Sequence, residues 1–162
     1  MEPVRYVDLL NQRYRAQGFP PYEWTVNQPE ELTPLEKPLA ECRVSMLTSG
    51  GVSHCSMPTW DAYARNDFRL DTVDPEAAGV DFSVSDSYYD TSDAQRDVNT
   101  VFPIDRLREL EADGTIGSVA PRLWSGFMGR IYKRTHTTEV AAPALVNELK
   151  ADDVDLFLLV PA

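Results

Sequence analysis

The chain has 162 residues, a length that suits one globular domain with a continuous hydrophobic core. Apolar residues make up 43% and aromatic residues 10% of it, a composition that excludes a disordered protein. The net charge is −11, and residues 61–113 hold 14 acidic and 5 basic side chains, a local charge of −9. Because such a surface repels phosphate backbones, we expect no nucleic-acid partner. The apolar run 156–162 is far shorter than the roughly 20 residues of a membrane-spanning helix, so we expect no membrane span either.

The first 38 residues predict a helix followed by an extended arm. Apolar side chains at positions 4, 7, 10 and 14 have helical spacing, and Gly18 is typical of a helix end. Five prolines between Phe19 and Pro38 fix the backbone and remove amide donors. We therefore expect an extended arm that lies on the domain or serves as a plain linker. Residues 1–38 form the predicted helix and arm, and residues 39–162 the predicted α/β domain.

The rest of the chain alternates between strand and helix patterns. Strands are predicted in CRVSMLT, at Phe68–Leu70 and Phe82–Ser85, in TIGSVAPRLW and in VDLFLLV; VSHCSMPTWD and SGFMGR are predicted loops. Helices are predicted in FPIDRLRELEADG, ending at Gly114, and in TTEVAAPALVNELKADD, ending at a left-handed Asp153. The unbroken apolar run LFLLV indicates a strand covered on both faces. This order predicts an α/β fold, a parallel sheet flanked by helices like half of a Rossmann or flavodoxin fold.

Ligands of open α/β sheets bind beyond the carboxyl ends of the strands, which draws attention to the loops that follow them. The loop TSGG, with Ser49, Gly50 and Gly51, offers backbone amides for a carboxylate or phosphate. It matches neither GxGxxG nor a Walker loop, so an ordinary turn is the alternative.

The two cysteines, Cys42 and Cys55, form no CxxC pair, and the amino terminus does not resemble a signal peptide. We therefore expect a cytoplasmic protein without structural disulfides. Cys55 stands next to His54 and could act as a nucleophile that the imidazole activates. A loop cysteine beside a surface histidine is the alternative, and Cys42 is predicted to be buried.

The acidic segment could supply oxygen ligands to a hard cation, but its spacing does not match an EF-hand loop, and we predict no metal site. Asn99 could instead cap the helix that follows. Phe127 and Met128, between glycines, could contact a ligand or plug the core.

The ordered segments TPLEKPL, VSMLTSGGV, YYDTSDAQRDVNTVFPIDRLRELEADGTIGSVAP, GFMG and APALVNELKADDVDLFLLVPA resemble the selenoprotein B family of glycine, sarcosine, betaine and D-proline reductases. The resemblance covers about residues 33–162, and PPYEW at 20–24 extends it. It implies reductive cleavage of the C–N bond of a small amino acid, with thiols as electron donor and with other reductase subunits, some containing a pyruvoyl group, as partners. The implied substrate contacts are Ser49, Gly50, Gly51, Tyr89, Asp90, Asp93, Asn99, Gly126 and Met128.

In that family a reactive selenocysteine or cysteine lies just after a strand of this type, so the resemblance places the nucleophile beyond Ala162 and implies no further cofactor. We expect the chain to be the amino-terminal part of a longer enzyme, inactive alone, whose gene has a UGA selenocysteine codon after the codon for Ala162. A catalytically silent relative that binds a partner or ligand is the alternative. A homo-oligomer stays open in either case.

Overall fold

The computed structural model describes residues 5–21, 28, 29 and 31–162. The chain divides into two compact units, Met1–Pro34 and Leu35–Ala162. In the first unit helix α1 spans Tyr6–Ala16, which confirms the predicted helix, and Gly18 follows it with a φ of +80°. Residues 22–27 and 30 of the proline-rich arm, including most of PPYEW, lie outside the described residues. The extended arm and the boundary at residue 38 therefore stay predictions.

The second unit contains strands, helices and short turns in alternation. Three 3₁₀ turns span Leu39–Glu41, Gly79–Asp81 and Val98–Thr100, and a π turn spans Thr137–Ala141. The other elements are β1 (Arg43–Thr48), β2 (Val52–His54), β3 (Leu70–Val73), β4 (Phe82–Val84), α2 (Ser92–Arg96), α3 (Ile104–Ala112), β5 (Ser118–Val119), β6 (Leu123–Gly126), α4 (Arg134–His136), α5 (Ala142–Ala151) and β7 (Leu156–Val160).

Strand β1 is the centre of a five-stranded sheet. Strand β7 pairs in parallel with one side of β1, from Val44 to Thr48. Strands β5 and β6 pair in parallel with the other side, β5 near the start of β1 and β6 near its end. Strand β3 adds to β6 in antiparallel orientation, and β2 and β4 form a separate antiparallel pair. The mixed, mostly parallel sheet with flanking helices confirms the predicted α/β fold class.

Side chains of β1 alternate between the two faces of this sheet, and each face has its own core. Val44 and Met46 pack in a cluster with Ile104 and Leu107 of α3. Leu47 points the other way, into a smaller cluster with Trp124 of β6 and with Leu145 and Leu149 of α5. Helices α3 and α5 thus cover opposite faces of the sheet. Burial of each such large aliphatic side chain stabilises the fold by about 1.5–3 kcal/mol.

The ends of the two long helices follow the predicted signals. Helix α3 starts directly after Pro103, and the Asn99 side-chain oxygen accepts a hydrogen bond from the Asp105 amide at 3.0 Å. Gly114, just after this helix, has a φ of +77°. Asp153 has a φ of +53°, which confirms the left-handed residue predicted after α5. The first five residues of the predicted helix before it form the π turn, and α5 continues from Ala142, with Pro143, a residue without an amide donor, at its second position.

Several short elements differ from the predictions. TIGSVAPRLW forms two strands, β5 and β6, because Pro121 between them cannot donate a ladder hydrogen bond. The predicted loop SGFMGR begins inside β6, and the predicted loop VSHC begins with strand β2. Helix α2 was not predicted, and the strand expected at Phe68–Leu70 lies at Leu70–Val73.

The prediction that the last strand is covered on both faces is wrong for the described residues. Strand β7 pairs only with β1 among the described strands, so its other side is an edge of the sheet. Leu158 is 37% exposed on one face and Leu159 is 67% exposed on the other. The apolar pattern of β7 is that of a central strand, but its position is that of an edge strand.

None of the helices in the described part of the chain has the length and apolar character that crossing a membrane requires.

Candidate functional site at the carboxyl end of the central strand

The loop that follows β1 consists of Ser49, Gly50 and Gly51, and it leads directly into β2. Gly51 has a φ of +68°, in the left-handed region that suits glycine. A Cβ atom added there would stand 2.2 Å from the carbonyl oxygen of Ser85, a distance that no side chain can occupy. Only glycine therefore fits this position, and the chain must reverse at this point.

Hydrogen bonds inside the fold already use two of the three amides of the loop. The Ser49 amide donates to the carbonyl of Val160 at 3.2 Å, and the Gly50 amide donates to the Thr48 hydroxyl at 3.1 Å. That hydroxyl donates in turn to the carbonyl of Val101 at 2.7 Å. Among the described residues the Gly51 amide alone in this loop has no acceptor. Of the several free amides expected in this loop, the Gly51 amide alone is therefore free to bind a ligand.

Two side chains from later segments hold the same loop. The Tyr89 hydroxyl donates to the carbonyl of Gly50 at 2.8 Å. Met128 is buried, and its terminal methyl group lies 3.1 Å from where a Cβ of Gly51 would stand. Burial raises the pKa of the Tyr89 hydroxyl, and the nearby charge of Asp86 raises it further. Tyr89 therefore stays protonated and remains a hydrogen-bond donor at neutral pH.

The end of β7 reaches the same place. The amide of Ala162 donates to the Ser49 hydroxyl at 3.3 Å, and the Ala162 Cβ lies 3.2 Å from a Cβ position built on Gly50. The carboxyl ends of β1 and β7 and the segment around Tyr89 thus converge on three residues of one loop. This is the place where open α/β sheets bind ligands.

A rigid support lies behind the loop, around the carbonyl oxygen of Val52. It accepts hydrogen bonds from the indole of Trp60 at 2.9 Å and from the Ser125 hydroxyl at 2.6 Å. The Arg69 guanidinium lies 3.7 Å from the centre of the Trp60 ring and forms a bidentate pair with the buried carboxylate of Asp71. These contacts fix the backbone directly after Gly51.

The predicted acidic residues take part in local turns. The Asp90 carboxylate accepts hydrogen bonds from the amide and hydroxyl of Ser92, and these bonds lower its pKa. Asp93 is exposed and pairs with Arg96 at 2.8 Å, one turn later on α2. Neither carboxylate has a contact with the loop after β1. Gly126 lies within β6, paired with Leu70 of β3.

Asn99 holds the start of α3 and also borders a cleft. Its amide nitrogen donates to the carboxylates of Asp97 and Asp105 at 2.8 and 2.7 Å, in addition to the bond that its oxygen makes with the helix. The hydrogen bonds from Asn99 lower the pKa of Asp97. The cleft measures about 320 Å³ and is lined by Gly79, Val80, Phe82, Ala94, Gln95, Arg96, Asp97, Val98, Asn99 and Asp105.

Cys55 and His54 lie at the other end of β2, away from the glycine loop. The Cys55 sulfur is exposed and stands 3.9 Å from the imidazole Nε2 of His54. Cys42 is fully buried, as predicted, with its sulfur 3.3 Å from the carbonyl of Pro38. No group of three or more histidine, cysteine, aspartate or glutamate side chains within the described ranges could hold a metal ion.

Comparison with known proteins gives one family. The family model of glycine/sarcosine/betaine reductase selenoprotein B matches residues 3–162. The chain belongs to this selenoprotein B family. It is 31% identical to D-proline reductase subunit gamma of Acetoanaerobium sticklandii, over 83% of this chain and 54% of that protein. It is 29% identical to glycine reductase complex component B subunit gamma of Carboxydothermus hydrogenoformans, over 78% of this chain and 29% of that protein. No solved structure matches this chain significantly.

The selenoprotein B-family chain thus spans about half of one relative and less than a third of the other. Membership of the family confirms the resemblance in the sequence. The names of both relatives identify them as reductase subunits, and one name includes the word complex.

In this selenoprotein B-family chain the structure brings five of the predicted contact residues together: Ser49, Gly50, Gly51, Tyr89 and Met128. It leaves Asp90, Asp93, Asn99 and Gly126 in other surroundings. Thr48, through its hydroxyl, and Ser85, through its backbone carbonyl, also shape the loop and were not predicted. A threonine at the last position of a buried strand, directly before two glycines, is the signal that could have indicated Thr48.

Proposed function

We propose that this chain forms part of the substrate pocket of a reductase subunit that cleaves the C–N bond of glycine, sarcosine, betaine or a related small amino acid, with thiols as electron donor. Family membership supports the reaction class. The observation that carries the location is the convergence of β1, β7 and Tyr89 on the loop 49–51. The proposed setting is the cytoplasm, with other reductase subunits, including one with a pyruvoyl group, as partners.

The loop would recognise the part of the substrate that all these amino acids share, the carboxylate. Among the described residues, this loop offers two donors without an acceptor, the amide of Gly51 and the hydroxyl of Ser49. The Tyr89 hydroxyl and the Thr48 hydroxyl act indirectly, since they hold the carbonyl and the amide of Gly50. A fixed loop orients the substrate carbon for attack at little entropic cost.

The chemistry needs a nucleophile that this loop does not supply. For glycine, the Cα–N bond breaks, ammonia leaves, and two thiols provide the two electrons and become a disulfide as acetate forms. Cys42 is buried under the start of β1 and Cys55 lies at the far end of β2. We therefore propose that a selenocysteine or cysteine from polypeptide outside these 162 residues attacks the substrate carbon. A UGA codon followed in frame by further coding sequence would support this source, and UAA or UAG with none would contradict it.

Titration of the ¹⁵N-labelled chain by NMR tests the carboxylate site. Betaine and choline are the matched pair of ligands, because both carry a trimethylammonium group and only betaine has a carboxylate. We expect betaine, glycine and sarcosine to shift the amide signals of Ser49, Gly50 and Gly51, and choline to leave them unchanged. Ser49→Ala should weaken the betaine response about tenfold, the cost of one hydrogen bond to a charged group.

The proposal fails if none of these amino acids shifts the loop signals, or if choline shifts them equally. Ser92→Ala serves as the protein control, since Ser92 is exposed and its hydroxyl, among the described residues, bonds to Asp90 alone, at the start of α2. Its response to betaine should equal that of the unchanged chain.

A second candidate is a catalytically silent module that binds a partner chain. The exposed apolar edge of β7 favours it, because a bare sheet edge with Leu159 uncovered is prone to pair with another strand. The two candidates differ in the NMR titration: the silent module predicts no carboxylate-dependent change at the loop.

A further inference from the structure

The loop after β6 carries an arginine without a partner carboxylate. Five arginines among the described residues are half-buried: Arg43, Arg69, Arg108, Arg122 and Arg130. The first four pair with aspartate or glutamate side chains, whereas Arg130 pairs with none in the part of the chain that the structure describes. Its Nε atom is buried without an acceptor, and its Nη1 atom donates to the carbonyl of Tyr63 over a long 3.4 Å. Because a guanidinium has five N–H donors, Arg130 has donors to spare for an acceptor of another molecule.

The backbone around Arg130 is held in place by one asparagine. Arg130 has a φ of +64°, in the left-handed region that side chains other than glycine seldom adopt. Its carbonyl accepts a hydrogen bond from the amide of Asn66 at 3.0 Å. The Asn66 side-chain oxygen accepts hydrogen bonds from the amides of Tyr132 and Lys133 at 2.8 and 2.9 Å. The guanidinium therefore projects from a loop that is already fixed, which lowers the cost of binding a partner.

Two tyrosine rings lie against the guanidinium. The Arg130 Cζ atom lies 5.5 Å from the centre of the Tyr63 ring and 5.4 Å from that of the Tyr88 ring, within the range of cation–π attraction. Each tyrosine is held by an aspartate two residues before it. Asp61 accepts the Tyr63 amide at 2.9 Å, and Asp86 accepts the Tyr88 amide at 2.6 Å. Both carboxylates thus position the rings, and neither forms an ion pair with Arg130.

A third tyrosine belongs to the same surface. Loss of contact with water raises the pKa of the Tyr88 hydroxyl, and a hydrogen bond with Tyr132 raises it further. The Tyr88 ring lies close to the backbone of Gly129, where an added Cβ atom would stand 2.8 Å from it. Tyr63, Tyr88 and Tyr132 are each more than half exposed. These three tyrosines and Arg130, here called the Arg130 surface, are therefore open to solvent.

The charge of this part of the chain is opposite to that of the whole. Residues 114–138 contain four basic and no acidic side chains, in a chain whose net charge is −11. Three of the four basic side chains lie within RIYKR at 130–134. Exposed tyrosines beside an arginine are the composition that protein interfaces favour. An open surface of this kind suits another protein chain better than a small molecule, which binds in an enclosed pocket.

We propose that the Arg130 surface docks an acidic segment of another protein chain, with an aspartate or glutamate of that chain paired with Arg130. The carboxylate accepts hydrogen bonds from the guanidinium, and the tyrosine rings exclude water around the pair. Tyr88 precedes Tyr89, and Arg130 follows Met128 by two residues, so a docked chain lies near the side chains that hold the loop 49–51. The proposal requires no substrate at that loop and stands apart from the proposed function.

Titration of the ¹⁵N-labelled chain with two synthetic peptides tests the proposal, with the NMR signals of the arginine Nε–H groups as the readout. The probe is acetyl-Leu-Glu-Glu-Leu-amide, and the matched control is acetyl-Leu-Gln-Gln-Leu-amide, which has no carboxylate. We expect the glutamate peptide to shift the Arg130 signal and to bind about tenfold more tightly than the glutamine peptide. Because the net charge of the chain is −11, general electrostatic attraction does not favour the glutamate peptide.

Arg65 is the internal control, because it is exposed and forms no ion pair with the described residues. Its signal should not change. The absence of a shift at Arg130, equal affinity for the two peptides, or an equal shift at Arg65 would each overturn the proposal. Acetate separates docking of a chain from binding of a small carboxylate: acetate that binds as tightly as the glutamate peptide would also overturn it.

Two substitutions test the role of the guanidinium. Arg130→Gln should abolish the response to the glutamate peptide, and Arg65→Gln should leave it unchanged. Circular dichroism establishes that both variants are folded, and an unchanged response in folded Arg130→Gln would contradict the proposal. If Arg130→Gln does not fold, the comparison of the two peptides on the unsubstituted chain still decides the matter. Because the readout is the Arg130 side chain and not the amides of the loop 49–51, failure here leaves the proposed function untouched, and the reverse also holds.

Discussion

Gly51 shows how one residue determines the geometry of the candidate site. Its left-handed φ turns the chain from β1 into β2, and the carbonyl of Ser85 occupies the space of a side chain. The Ser85 amide also donates to the Gly51 carbonyl at 2.9 Å, so the close approach is fixed from both sides. The free amide of Gly51 depends on this turn for its position.

Substitution of Gly51 by alanine should destabilise the chain by about 2–4 kcal/mol. The left-handed conformation costs an L-residue about 1–2 kcal/mol, and the clash with Ser85 forces a backbone shift that adds about as much. Urea unfolding of the purified variant measures the difference. Gly114→Ala is the matched control, because Gly114 has a similar φ of +77° but nothing within 4 Å of a Cβ. It should cost only the conformational part, about 1–2 kcal/mol, and equal losses in the two variants would show that the Ser85 contact has no effect.

Among the elements, β7 depends on a charged residue at its start. The Asp155 carboxylate accepts a hydrogen bond from the Arg43 amide at 2.7 Å and pairs with Lys37 at 2.7 Å. The hydrogen bond from the Arg43 amide is the main cause that lowers the pKa of Asp155, and the bond with Lys37 lowers it further. The hydrogen bond with Asp155 raises the pKa of Lys37. Asp155 thus fixes the register between β7 and β1 at the end opposite the site.

Asp155→Asn should destabilise the chain at neutral pH, with an effect that disappears in acid. The folded-state pKa of Asp155 lies below the unfolded value of about 3.9, so its stabilising effect is complete above about pH 5 and is lost as the pH falls through the folded-state pKa. Urea midpoints of both proteins between neutral pH and pH 3 measure this. Asp153→Asn is the control, since Asp153 is 89% exposed and asparagine tolerates its φ of +53°. A difference that does not decrease between pH 5 and pH 3 would contradict the assignment.

At this scale the sequence predicts the long elements well and the short ones poorly. Helix α3 and strands β1 and β7 are long enough for periodicity to show them, and their ends carry clear signals such as Gly114. Strand β2 has three residues, and β5 has two, too few for any periodic pattern. Strand order is also hidden from the pattern: LFLLV predicts burial of both faces, but the position of β7 at an edge depends on which strands pair with it.

The position of the candidate site was predictable from the sequence, but the hydrogen bonds within it were not. Strand ends and paired glycines indicate the loop 49–51. The Ser49 amide donates to Val160, more than 100 residues later in the sequence, and the Gly50 amide donates to the Thr48 side chain, which depends on the rotamer of that side chain. No local sequence pattern contains either hydrogen bond. Asp90 was predictable as a turn residue, because an aspartate side chain commonly accepts a hydrogen bond from the backbone amide two residues later.

For the molecule as a whole, the two faces of the sheet are covered unevenly. Helix α3 and the β2–β4 pair lie over one core, and α5 lies over a smaller one. Both cores thin out toward β7, where Leu158 and Leu159 are exposed on opposite faces. In the isolated chain, water meets apolar surface at Leu158 and Leu159 of this edge, a situation that favours association.

We expect the isolated 162-residue chain to self-associate through β7, with two strands antiparallel across a twofold axis. Sedimentation equilibrium over a range of concentrations measures this, and Leu159→Lys should shift the population toward monomer. Because Leu159 is 67% exposed, the same substitution should change the free energy of unfolding by no more than about 0.5 kcal/mol. Val80→Lys is the control, because Val80 is 91% exposed and lies far from β7 in the sequence. A wild-type chain that stays monomeric at all concentrations would contradict this expectation.

Trp60 has a consequence for how the loop can be observed. Its indole is buried, lies against the Arg69 guanidinium and donates to the carbonyl of Val52, the residue that follows Gly51. The excited state of an indole responds to the electric field of a nearby charge and to the strength of the hydrogen bond that its N–H group donates. Movement of the loop therefore alters the colour and yield of the light that Trp60 emits. Emission from Trp60, separated from that of the other two tryptophans by their substitution, would report on the candidate site, because its hydrogen-bond acceptor Val52 follows Gly51 directly.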